Sequence, residues 1–249
     1  MKHRLLPVAL AVLSLLGAAC GDDSNGSADD TTTTESTTTT ESTTTTSSVD
    51  TTSPEGDSGA EPGEAIEGVV AEGASLAVMG VAYDDVLNIR SAPGTDNEVV
   101  TTAEPTAEGL VATGRAQRLP NSIWFEVTWE GVTGWAASSF LGYIGPTDDA
   151  SAEILADGDR PTGDSIEAVG EAVASMFATS EPESRVVESV EATEGDLGEV
   201  TFDVIGVGDD SVAGYRLHVF TLPDDNGQAL RTVELTTLCS RGVSEGLCV

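Results

Sequence analysis

Ile123-Trp124-Phe125-Glu126-Val127-Thr128-Trp129, followed by Glu130-Gly131-Val132-Thr133-Gly134 and Trp135-Ala136-Ala137, is the stretch that decides the fold. The first segment alternates well enough for a half-buried strand, and the Gly-containing segment turns it back into a second strand. Period-two geometry puts Trp124 and Trp129 on opposite faces. Upstream, Val86, Leu87 and Ile89 with Asn88 and Arg90 give another brief strand. Ser91-Ala92-Pro93-Gly94-Thr95 then supplies the proline and glycine of a tight reversal. Short strands at this spacing, with little helical periodicity, predict a small β-barrel over residues 74–145.

Three blocks in this region carry a family resemblance. They are Leu87-Asn88-Ile89-Arg90-Ser91-Ala92-Pro93-Gly94-Thr95, Trp124-Phe125-Glu126-Val127, and Gly131-Val132-Thr133-Gly134-Trp135 with Phe140-Leu141 beyond it. In this order they resemble the bacterial SH3-like domain. The resemblance implies a small barrel in an exported protein and a binding role toward peptidoglycan or its peptide stems, with fold implied more firmly than ligand. Gly94 and Gly134 suit backbone positions that a Cβ would strain, and Pro93 fixes its own φ at the turn. Trp135 and Phe125 are expected in the core. One of Trp124 or Trp129 is expected to stay accessible as an aromatic face for an extended peptide or sugar. The segment Gly114-Arg115-Ala116-Gln117-Arg118-Leu119-Pro120-Asn121-Ser122 is longer and more basic than the family's usual short loop. Arg115 and Arg118 have two readings: they pair with carboxylates of a peptide ligand, or they neutralise nearby acids such as Glu108 and Glu126 on a solvated surface. The predicted ligand-binding set is Trp124, Trp129, Arg115 and Arg118.

Residues 146–163 read as a loop, and a second domain is expected over 160–249. Asp164 with Glu167 three residues on makes a capping-box-like helix start, and Ile166, Val169, Val173, Met176 and Phe177 fall on one face. That stripe reads as core, and Pro182 stops the helix. Strands are predicted over 185–192, 197–206, 214–222 and 228–238, the last two joined by the hairpin turn Asp224-Asp225-Asn226-Gly227. One helix over an antiparallel sheet is an α+β domain. The fold class is therefore mainly β, a small SH3-like barrel followed by an α+β domain. Cys239 and Cys248 flank a short Gly-containing loop and read as a disulfide in an exported chain.

At the N-terminus, Lys2, His3 and Arg4 precede the apolar run 5–16 and the small residues Gly17, Ala18 and Ala19, the pattern of a secretory signal. Leu16-Gly17-Ala18-Ala19-Cys20 resembles the lipobox of bacterial lipoproteins, with Gly17 where Leu is more usual. That resemblance implies a signal peptide over 1–19 and a lipidated Cys20 anchoring the chain in the cell membrane on its extracytoplasmic side. Residues 20–64 are rich in Thr, Ser, Asp and Glu and bury too little apolar surface to offset chain entropy, so a disordered tether is expected. Thr-rich stalks of this kind accept O-linked sugars, a matter the sequence leaves open.

The chain has 249 residues and carries 10 Lys+Arg against 43 Asp+Glu, a formal net charge of −33 at pH 7. Nucleic-acid binding runs on clustered cations that neutralise phosphate, so that class is discarded. Catalytic chemistry is poorly supplied. The composition counts two histidines, and only His218 lies beyond the signal. A cysteine peptidase needs a free thiol beside a histidine, and a zinc hydrolase needs several nitrogen or sulfur ligands. Asp224, Asp225, Asn226 and Gly227 fail the spacing of a calcium loop. No catalytic residue, metal or cofactor is assigned. The expected role is a lipid-anchored, cell-surface binding protein for peptidoglycan or an extracellular peptide. The alternative is a non-catalytic partner or sensor subunit of a membrane-associated assembly, docking through the C-terminal domain.

Overall fold

Chain order in the computed structural model, which describes residues 62–156, 158–225 and 227–249, opens with β1 (Glu64–Ile66), β2 (Ser75–Val78), β3 (Leu87–Arg90) and β4 (Val99–Ala103). Then come β5 (Glu108–Leu119), β6 (Ser122–Trp129), β7 (Val132–Ala137), a single 3-10 turn (Ser138–Phe140) and β8 (Leu141–Asp149). The remainder runs α1 (Ser151–Ile154), β9 (Thr162–Gly163), α2 (Ile166–Phe177), β10 (Arg185–Thr193), β11 (Gly198–Ile205), β12 (Val212–Asp224), β13 (Gly227–Cys239), β14 (Val243–Ser244) and β15 (Leu247–Cys248). The signal segment, Cys20 and the tether up to Glu61 lie outside the described residues. Glu64, read above as the tether's last residue, opens β1 opposite Arg118.

The chain is mainly β. A 13-stranded sheet follows the path β10-β11-β12-β13-β8-β2-β5-β6-β7-β3-β4, with β1 on β5 and β9 on β13. Two apolar clusters underlie it. The first gathers Leu76, Val78, Leu87, Ile89, Leu110, Val127 and Leu141, with Phe125 and Trp129 packed against them. The second gathers Ile166, Val169 and Val173 from α2 against Val200, Phe202, Val204, Leu217, Val219 and Val233. Each fully buried Val or Leu contributes about 1.5–3 kcal/mol relative to exposure, so both clusters are substantial.

Two predicted loops are strands. Residues 114–119 belong to β5, where the exposed Arg115 precedes the buried Ala116, a member of the first core, and the buried Gln117. Gly114 disguises this strand. It takes φ +85° at a register shift between Ala112 and Ala116, a bulge that bends β5 so that it pairs β2 with one half and β1 with the other. Pro120 and Asn121 form the actual turn into β6, where Leu119 faces Ser122. Residues 146–149 likewise extend β8, which pairs β2 through Leu141 and Gly142 and β13 from Tyr143 to Asp149. Gly145 and Pro146 look like breakers, but they sit together opposite Thr237 at a register shift, where the ladder tolerates a missing N–H.

The helix differs from its expected cap. Ser165, not Asp164, caps α2, its hydroxyl accepting from the Ala168 N–H at 3.2 Å. Met176, placed on the core face by periodicity, is 56 % exposed, while Phe177 turns inward edge-on to Tyr215. Gly170 lets α2 approach the sheet: a Cβ there would lie 2.6 Å from both Phe202 and Val200 side chains. Cys239 and Cys248 form the expected disulfide, with Cα atoms 5.2 Å apart, and it closes the β14–β15 hairpin.

Candidate functional site

The segment between β2 and β3 places the site. It leaves the first core at Val78 and crosses the outward face of the β10–β12 sheet, where polar side chains hold it. Asp203 accepts from Arg216 Nε at 2.8 Å and Nη2 at 2.9 Å, and from the Gly80 N–H at 2.8 Å. Arg216 Nη2 also donates to the Val78 carbonyl at 2.8 Å, and the Tyr83 N–H to the Glu188 carbonyl at 3.0 Å. Asp203 is 0 % exposed and Arg216 9 %, so this ion pair is a buried clasp between the two cores. Neither residue carries a sequence motif; the signal is only that both lie on outward positions of alternating strands.

Between the clasped segment, β3, β6 and β10 lies a cleft of about 400 Å³. Val81, Ala82, Asp85 and Val86 form one wall, Asn88 and Arg90 of β3 another, and Trp124 opposite Ala137 the floor. Phe140 of the 3-10 turn and Arg185 and Val187 of β10 close the remaining side. Trp124 is 4 % exposed, with its Nε1–H donating to Ser122 Oγ at 2.9 Å. The reversal 91–97 is held by Asn97 Nδ2 on the Pro93 carbonyl and by Arg90 Nη1 on the Asn97 carbonyl, and it brings Thr95 to the rim. Asp85 is the one acid among the lining residues, against Arg90 and Arg185.

The predicted ligand residues fall in different places. Neither tryptophan is the accessible aromatic face expected from the sequence: Trp124 borders the cleft but is buried, and Trp129, on the opposite face, packs half-buried against the first core. Arg115 pairs with Glu126 at 2.5 Å and lies over the Trp135 ring at 5.2 Å, which fits the second of its two readings. Trp135 is buried to 1 % on the sheet face that carries Glu126, outside the first core cluster, and Phe125 packs against that cluster. Arg118 is exposed on β5. The cations at the cleft are instead Arg90, inside a quoted block, and Arg185, which sequence reading treated only as the start of a strand.

A second cleft, of about 490 Å³, lies between β2, β8 and the disulfide loop. Burial pushes its Tyr143 hydroxyl pKa up, and its cation Arg241 is engaged by Asp210 at 3.0 Å. His218 stands half-exposed on β12 with Nε2 3.3 Å from Glu199 and Nδ1 3.8 Å from Glu234. Among the described residues no three His, Cys, Asp or Glu side chains form a metal-holding group, and no helix is long and apolar enough to cross a membrane.

Residues 85–142 match the bacterial SH3 domain, so β3 to the start of β8 and the floor of the cleft belong to it. No curated protein and no solved structure matches the chain.

Proposed function

We propose that the chain is a non-catalytic binding protein of the cell surface, anchored through Cys20 and holding a peptide of the cell wall in the cleft over Trp124. The observation that carries this reading is the cleft itself. A bacterial SH3 domain, a class often associated with wall binding, contributes to a cleft lined by Val81, Val86, Val187 and the nearly buried Trp124 beside two guanidiniums, in a chain where acids outnumber bases fourfold. An apolar lining suits extended peptides because it packs against backbone and apolar side chains without demanding one sequence. The lipobox-like Leu16-Gly17-Ala18-Ala19-Cys20 and the Thr-rich stretch beyond it support an anchored, far-reaching placement.

The test is co-sedimentation of the purified full chain with insoluble peptidoglycan. Retention well above that of an unrelated acidic protein is expected, falling at least severalfold in Trp124→Leu. Retention equal to the control removes the reading.

A further inference from the structure

Resting on the peptide-binding reading above, we propose that the cleft recognises a free carboxylate of its peptide, and that Arg185, outside the matched SH3 residues, sets this specificity together with Arg90. Three observations converge. Arg185 is held in place without being neutralised. Its Cζ lies 5.2 Å from the centre of the Phe140 ring, and its Nη2 stands 2.6 Å from where a Cβ on Gly80 would be. A glycine at position 80 leaves the space that the guanidinium occupies. The ring takes one face of the plane and leaves the N–H edge for an acceptor.

Neither cleft arginine forms an ion pair among the described residues, although Asp85 lines the same cleft. Among the described residues the ion pairs of arginine are Arg115 with Glu126, Arg216 with Asp203 and Arg241 with Asp210. Arg90 donates one N–H to the Asn97 carbonyl, which fixes its position without pairing it to a carboxylate. In a chain of 43 acids, two oriented guanidiniums at one cleft mark a place kept for an anion supplied from outside.

The remaining lining selects the anion. Val81, Val86, Trp124 and Val187 surround the pair with apolar surface. That surface suits a residue with an apolar body and a terminal carboxylate, whereas a glycerol phosphate chain brings charge without an apolar body for the valines to pack on. A guanidinium fork matches a carboxylate through two parallel N–H···O bonds, and the cleft volume of about 400 Å³ lies in the usual range for small-ligand sites. The C-terminal region thus does more than follow the SH3 domain: β10 completes its binding site.

The experiment titrates the full chain with stem peptides released from purified peptidoglycan, once with carboxyls free and once with carboxyls converted to methylamides. Binding is followed by calorimetry and by tryptophan fluorescence. Free-acid peptides are expected to bind about 10- to 100-fold more tightly than the amides, the range of one charge-assisted hydrogen bond. Arg185→Gln cuts that preference severalfold, the remainder being held by Arg90, and Arg185→Lys restores only part of it because the fork is gone. Equal binding of acid and amide overturns the carboxylate assignment while leaving wall-peptide binding standing. Binding of neither form overturns both readings. Displacement by glycerol phosphate more readily than by the free-acid peptides also overturns the assignment, in favour of an anionic wall polymer.

Discussion

Replacing Asp203 by Ala should cost more than any surface change in this protein, because it breaks the clasp from its centre. Four donors converge on the carboxylate: Arg216 Nε and Nη2 at 2.8 and 2.9 Å, the Gly80 N–H at 2.8 Å and Ser189 Oγ at 3.3 Å. Alanine leaves a guanidinium that is 9 % exposed without its counter-charge, and it orphans a buried backbone N–H. Removing one partner of a buried pair costs about 3–5 kcal/mol. A domain of this size is stable by only about 5–15 kcal/mol, so the loss is a large fraction of the whole. In urea, with m about 2 kcal/mol/M, the unfolding midpoint should fall by about 2 M. Asp203→Leu combined with Arg216→Met removes both charges and should recover most of that loss, since apolar replacement of a complete buried pair is often near neutral. A loss below about 1 kcal/mol for Asp203→Ala refutes the reasoning, as does a double variant whose loss is the sum of the single ones. The clasp also fixes Gly80, against which Arg185 lies, so the folded fraction of Asp203→Ala should bind free-acid peptides more weakly.

Further expectations concern packing, the disulfide and pH. Gly170→Ala pushes a methyl group to within 2.6 Å of Phe202 and Val200 and should destabilise by about 1–3 kcal/mol in denaturant titrations, despite alanine's better helix propensity. Cys239→Ser with Cys248→Ser opens a loop with a sequence separation of 9 and should cost about 2–3 kcal/mol; an unchanged melting temperature would show that the tail adds nothing to the sheet. Partial burial first, and then the charges of Glu167, Glu191 and Asp84, raise the Glu188 carboxyl above its ordinary range, against a bond from the Ala192 N–H that lowers it. Its favourable contribution is complete below the unfolded carboxyl range and is lost as pH rises through the raised folded value. Glu188→Gln should therefore stabilise at neutral pH by under about 1 kcal/mol after solvent screening, with the gain vanishing near pH 4. A gain that grows toward low pH would contradict this sign.

The strands of both regions were legible because their side chains obey period two: β3, β6 and β10 to β13 lie within two residues of their predicted bounds. What sequence reading missed were strands broken by their own special residues. Gly114 and the Gly145-Pro146 pair signal loops by composition, yet each marks a bulge where a continuing strand bends. The helix stripe overreached at Met176 because at about 100° per residue this position lies on the edge of the buried face that Ile166, Val169, Gly170, Val173 and Ala174 form, whereas Phe177 returns to the sheet. The site was half legible. Trp124 was named on aromatic grounds, but the arginines named with it sit in β5, where the outward Arg115 meets Glu126 across the β5–β6 ladder. Arg185 was out of reach for a different reason: its position beside Phe140 and Gly80 depends on the clasp, and a contact across 105 or 45 residues leaves no periodic trace.

Arginine placement shows why the clasp and the cleft belong to one argument. Beyond position 4 every basic Lys or Arg residue is arginine. In the described region Arg115, Arg216 and Arg241 meet carboxylates, Arg160 donates to the Leu230 carbonyl, and Arg118 and Arg231 stand at the surface. Arg90 and Arg185 are therefore the pair brought to a common cleft, one from the SH3 domain and one from β10. Asp203 and Arg216 spend a buried ion pair to fix the segment against which Arg185 rests. An apolar interface of similar volume would serve stability equally well. What the polar clasp adds is register: Gly80 N–H and Val78 C=O fit it in one alignment only, and that alignment opens the space beside Phe140. A shift of one residue in the 78–80 segment would present a side chain where Gly80 now leaves room, so Arg185→Gln and Asp203→Ala should weaken peptide binding by the same route, while Arg231→Gln should leave it unchanged.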